Sequence, residues 1–210
     1  KAISEGKKVA ICDLTEGELG TRGSVKDRYQ ESEESCKILG ISHRENLQLR
    51  DGFFEINEAS LLKVIEAIRK YQPEIILCNA PSDRHPDHGR GGDLVERAHF
   101  LSGLKKINTP SEYWRAKLLF KYIQDRYIAP DLVVDITPFW SQKVQSIRAY
   151  KSQFYDPNSN EPMTYISNPD FLDFIEARAQ EMGHAIGVKY GEGLIAIQKI
   201  GLKNIFDLKI

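Results

Sequence analysis

The feature that most narrows the folds open to this chain is a repeated exchange between short, almost unbroken apolar runs and segments of helical periodicity. VAICDLT (Val9 to Thr15), EIILCNA, KLLFKYI, DLVVDIT and GLIAIQ are too short for amphipathic helices, and each reads as a strand buried on both faces. ENLQL adds a further short strand. The helices between them have legible ends. Ser24 opens one, with Asp27 at capping-box spacing, and Gly40 closes it. Asn57 caps a second, in which Leu61, Leu62, Val64, Ile65 and Ile68 recur at helical period, and Pro73 lies just beyond its end. A third has its body near Asp93 to Leu101. A fourth takes Thr137 as its cap and Pro138 at its first position, with the stripe Phe139, Val144, Ile147 and Phe154. The last runs from near Pro169 to near Gly187. Strands apolar on both faces need helices over both faces, so the alternation predicts an α/β fold around a mainly parallel sheet.

Such a sheet needs a core. With 210 residues, 41% of them hydrophobic, and with no repeat and no linker, the chain is read as a single domain over 1–210. Charge excludes some partners: 29 Lys and Arg against 30 Asp and Glu leave no basic footprint for nucleic acid and no polybasic membrane patch, which leaves a small molecule. No apolar run approaches the roughly 18 residues of a membrane span, and KAISEGKK lacks the apolar centre of a signal peptide. KAISEGKK reads instead as the end of a helix closing on Gly6, so that further chain is expected ahead of Lys1. Of the 3 cysteines, Cys12 and Cys78 fall inside apolar runs and are expected to be buried free thiols, which fits a cytoplasmic location.

In open α/β sheets ligands bind beyond the carboxyl ends of the strands. The two most polar, glycine-rich loops, EGELGTRG and APSDRHPDHG, each directly follow an apolar strand, and they are expected to converge on one cleft. The second holds Asp83, Arg84, His85, Asp87 and His88, with Pro86 suited to the first turn of a helix. His85 and His88 then share a helix face and can address one centre, while Asp87 can fix an imidazole tautomer. The same residues also suit a plain capped helix N-terminus, with the charges solvated. His43, His99 and His184 have no histidine or carboxylate neighbour at ligand spacing and are read as structural. GELGTRG does not carry the dinucleotide spacing GxGxxG, and no Walker lysine follows it, which weighs against nucleotide binding.

CDLTEGELGTRGS, DGFFE, DRHPDHGR, SGLKK and IGVKYGEG, in this order, resemble the LmbE-like (PIG-L) zinc-dependent N-deacetylases. Within that family the likeness is to the bacillithiol-pathway branch, which deacetylates N-acetylglucosaminyl malate. The resemblance runs from Lys1 to about Gly193 and implies a Rossmann-like fold with a zinc site at the strand ends. It also implies an absence. The family's His-Pro-Asp-Asp type motif, the source of two zinc ligands and the general-base aspartate, is not in this sequence, and by resemblance it belongs with a strand and most of a helix upstream of Lys1. Carried over by resemblance, His88 is the remaining zinc ligand, His85 the charged histidine that stabilises the oxyanion, and Asp87 the residue that orients His85. One well-placed oxyanion donor is worth about 3 kcal/mol. Arg28, Arg115 and Tyr190 match polar positions near the substrate, and Arg22 is a further candidate for a dicarboxylate such as malate. Related proteins form homo-oligomers, so an oligomer is expected. The alternative is a non-catalytic relative that binds a sugar or oligomerises.

Overall fold

The computed structural model describes residues 1–207. In chain order its main elements are β1 (Ala10–Thr15), α1 (Val25–Leu39), β2 (His43–Leu49), α2 (Glu58–Tyr71), β3 (Ile75–Cys78), α3 (Pro86–Ser102), β4 (Leu118–Tyr122), β5 (Leu132–Asp135), α4 (Trp140–Arg148), α5 (Phe171–His184) and β6 (Gly191–Ala196). The α/β alternation read from the sequence runs from β1 to β4, after which β4 and β5 follow each other directly, as do α4 and α5. The chain packs as two compact units, Lys1–Phe54 with Ile136–Glu181 and Glu55–Asp135 with Met182–Ile210. No linker or change of composition in the sequence announces this interleaving.

In the first unit β1 pairs with β2 in parallel. Arg44 of β2 donates from Nε and Nη2 to the two carboxylate oxygens of Asp13 on β1, at 2.6 and 2.9 Å. This bidentate pair resists slippage of the two strands. Helix α1 begins as the sequence demands: the Ser24 hydroxyl accepts from the Asp27 N–H, and the Asp27 carboxylate accepts from the Ser24 N–H. It ends on Gly40 at φ 74°, a left-handed conformation that glycine adopts without a Cβ penalty. The side chain of Gln142 on α4 donates to the Ile38 carbonyl at the end of α1 (2.6 Å). The fourth helix departs from the sequence reading. It opens as a 3-10 turn over Thr137–Phe139 with no side-chain cap and stops at Arg148, so Phe154 lies beyond it.

In the second unit the sheet order is β3-β4-β6-β5. Strand β4 is parallel to β3, and β6 runs antiparallel to both β4 and β5, so β3, β4 and β5 share one direction and β6 alone is reversed. Val64, Ile65 and Ile68 of α2, Leu94 and Ala98 of α3 and Leu119 of β4 form the buried core. Arg69 is also buried there, donating to the carbonyls of Ser102, Leu104 and Ile107, which closes the chain after α3 against α2. Cys78 is buried, and desolvation pushes its thiol up to about 12. Cys12, expected to be buried, is exposed. Strand β1 belongs to a sheet of two strands, and its Ala10 and Cys12 lie on a face that nothing in the same unit covers. Among the described residues no helix is long and apolar enough to cross a membrane.

Candidate active site

The site is built where β3 gives way to α3. Pro86 takes the first position of the helix, where its missing N–H costs nothing, and His85 is the N-cap in an extended conformation. The helix is continuous from Pro86, about two turns earlier than its apolar stripe begins. Glycines allow this. A Cβ at Gly92 would stand 2.7 Å from the Asn79 carbonyl oxygen, and one at Gly89 would stand 3.0 Å from that of Pro81. The start of α3 therefore lies directly against the backbone leaving β3, which fixes His85 and His88 relative to the strand end.

The two imidazoles are held in opposite tautomers. His88 Nδ1 lies 2.5 Å from Asp83 Oδ2, and the Asp83 side chain is fully buried. Burial alone would raise the Asp83 carboxyl, but hydrogen bonds from His88 and from the backbone of Arg126 and Arg84 prevail and hold it below its ordinary value. Asp83 is thus a carboxylate and can only accept. A neutral His88 then carries its proton on Nδ1, which leaves the Nε2 lone pair free. His85 is the reverse. Its Nδ1 accepts the backbone N–H of Asp87 at 3.2 Å, so a neutral ring carries its proton on Nε2. The rings are tilted by 33° with centroids 5.2 Å apart. One cluster therefore presents a lone pair and, beside it, a hydrogen-bond donor.

His85 thus both caps the helix and keeps a donor free. A neutral His85 accepts at Nδ1, a contact that the charged ring expected from the family resemblance would give up. Asp87 reaches His85 through its backbone N–H, while its carboxylate pairs with Arg90 at 2.9 Å. Asp83, to which the sequence reading gave no role, is the carboxylate behind an imidazole. The signal was there: an aspartate five residues before a histidine, spanning a helix start.

Arg28 lies in the first unit, packed into the EGELGTRG loop. Its guanidinium approaches Gly17 and Gly20 so closely that a Cβ at Gly20 would collide with it, and its Nη2 donates to the Arg22 carbonyl at 3.3 Å. Its Nε is buried without a hydrogen-bond partner. Arg28 helps line a cavity of about 200 Å³ together with Asp13, Glu16, Tyr29, Arg44 and Tyr150. Arg22 is buried and committed, donating to the Ser152 carbonyl and the Ser159 hydroxyl at 2.9 Å each. It is a structural clamp that ties the loop after β1 to the segment after α4. Arg115 stacks on Phe100 and donates to its carbonyl at 2.6 Å. That places it near the C-terminal end of α3, roughly 22 Å along the helix from His85 at about 1.5 Å per residue. Within this chain Arg115 is therefore not brought to the histidine pair. Tyr190 is buried just before β6, with the Lys189 ammonium 5.1 Å from its ring centroid. His99 donates from Nε2 to the Ala116 carbonyl oxygen at 2.8 Å, in keeping with a structural role.

An imidazole backed by a carboxylate is how metal-binding histidines are held. A zinc site needs more, and among the described residues no group of three His, Cys, Asp or Glu side chains is placed to hold a metal ion. The described residues thus hold one imidazole in the way a metal ligand is held and do not form a metal site.

The family model described as GlcNAc-PI de-N-acetylase (PIG-L) matches residues 1–99. The conserved protein TT1542 from Thermus thermophilus is 31% identical, with a TM-score of 0.86 over 96% of this chain and 86% of that one. The N,N'-diacetylchitobiose deacetylase from Pyrococcus horikoshii is 26% identical, with a TM-score of 0.80 over 93% of this chain and 75% of that one. GalB from Pseudomonas putida, a 4-carboxy-2-hydroxymuconate hydratase, is similar at 17% identity, with a TM-score of 0.73 over 97% of this chain and 89% of that one. The fold thus carries more than one reaction, and the chemistry has to be argued from the site.

Proposed function

Because the chain belongs to the PIG-L, or LmbE-like, family, we propose that it is an N-deacetylase that hydrolyses the acetamide of an N-acetylated amino sugar, with N-acetylglucosaminyl malate of bacillithiol biosynthesis as its substrate. The observation that carries this reading is the split between the two imidazoles: His85 offers an Nε2–H and His88 an Nε2 lone pair. In amide hydrolysis the oxygen of water bonds to the acetyl carbon, the carbonyl oxygen gains charge, the C–N bond breaks, and acetate and a protonated amine leave. His85 donates to that oxygen as its charge develops, and because it is a neutral donor it needs no prior protonation. Asp87 contributes the backbone N–H that keeps the His85 proton on Nε2.

His88 is the metal-facing group in this reading, and the remaining zinc ligands and the proton-accepting carboxylate are supplied from outside the described residues. When bound, zinc would supply a polarised carbonyl and an activated water. Arg28, with its buried and unpartnered Nε, holds a carboxylate or a sugar hydroxyl away from the scissile bond. The Pyrococcus horikoshii relative, which by name is a deacetylase of an N-acetylated sugar, supports the amino-sugar class. Tyr190 and Arg115 also belong to the substrate surface on this reading, Arg115 by way of a homo-oligomer, and the enzyme works in the cytoplasm.

The test is release of acetate and a primary amine from N-acetylglucosaminyl malate and from N,N'-diacetylchitobiose by zinc-supplied protein. Stoichiometric release from the malate conjugate is expected. No release from either sugar would turn the reading to that of a non-catalytic sugar-binding relative.

A further inference from the structure

Asp83 is engaged through both carboxylate oxygens, and the two are used differently. Oδ2 faces His88 Nδ1 at 2.5 Å, while Oδ1 accepts the backbone N–H groups of Asp125 and Arg126 at 3.1 and 2.9 Å. Those two N–H groups belong to the segment between β4 and β5, elsewhere in the sequence from the histidine pair. Backbone donors cannot change roles, so they dictate which oxygen of Asp83 is left to meet His88.

We propose that Asp83 is the positioning residue of this site, fixing His88 with its Nε2 lone pair free from a frame set by the Asp125 and Arg126 backbone. The inference rests on the reading of His88 as the metal-facing imidazole. It assigns the loop after β4 a share in the site through its backbone. The frame also makes the tautomer of His88 sensitive to one atom. In Asp83→Asn the amide oxygen must stay on the two backbone donors, because turning the amide would set its NH2 against both and lose two hydrogen bonds. The amide nitrogen then faces His88 Nδ1 and donates to it. The imidazole must accept there, which moves its proton to Nε2 and removes the lone pair. A change nearly equal in size thus inverts the ring.

Long-range proton–nitrogen correlation spectra at about pH 8, where an ordinary histidine is neutral, read this directly. In the wild-type chain His88 is expected mainly as the Nδ1–H tautomer. In Asp83→Asn it is expected mainly as Nε2–H, with the Asp125 and Arg126 amide resonances retained as a sign that the frame is intact. A purely structural Asp83 would shift those amides and leave the tautomer alone. Two results would overturn the proposal: an Nε2–H tautomer at His88 in the wild-type chain, which needs no variant to fold, or a folded Asp83→Asn with an unchanged His88 tautomer. Tautomers as expected in a protein that deacetylates no amino sugar would retire the proposed function and leave the Asp83–His88 linkage standing.

Discussion

The loops after β1 and β3 look alike in sequence, polar, rich in glycine and each following an apolar run, yet they spend their polar atoms differently. In the first, glycines make room for the chain's own arginines: Arg28 is packed against Gly17 and Gly20, and Arg22 is tied to Ser152 and Ser159. In the second, glycines let a helix start lie against a strand end, and the bonds formed within the loop leave Nε2 of both histidines for something else. What marks a functional loop is which heteroatoms remain after the loop has satisfied itself. One buried Arg28 Nε is such a remainder in the first loop; the second offers two complementary ones.

That contrast can be broken by substitution. The largest effect is expected for His88→Ala, which removes the free lone pair: metal content and deacetylation should fall to background together, measured by elemental analysis and acetate release. Arg22→Ala should act on stability. It strands half-buried acceptors and should cost about 2 kcal/mol, seen as a fall in Tm of roughly 4–8 °C for a chain of this size. Arg28→Ala should raise KM about tenfold with little change in kcat, since that arginine is assigned to substrate away from the reacting bond. Smallest is a difference between the leading strands. Iodoacetamide at mildly alkaline pH should label exposed Cys12 readily and leave Cys78, buried and pushed up to about 12, untouched until the chain unfolds. Mass spectrometry of the labelled peptides reads this.

Helix limits with a local chemical cause were legible in the sequence. Ser24 with Asp27, Asn57, Gly40 and Pro86 all act where they were expected to, because capping is decided within a few residues. The reversed direction of β6, the exposure of Cys12 and the commitment of Arg22 were not legible, since each depends on partners distant in the sequence or on what covers a face. The histidine pair was found from its spacing, but its division of labour was not. That depends on Asp83 holding one ring and a backbone N–H holding the other, and only the second of these follows from a helix cap.

The division of labour between the rings is the central claim, and His85→Ala tests it most directly, with kcat on N-acetylglucosaminyl malate and bound zinc measured on the same preparation. If His85 is the donor to the developing oxyanion and His88 the metal-facing ring, kcat should fall by about 10²-fold or more while zinc content stays at the wild-type level. Loss of zinc in step with kcat would show that both rings face the metal, and full activity would reduce His85 to the cap of a helix.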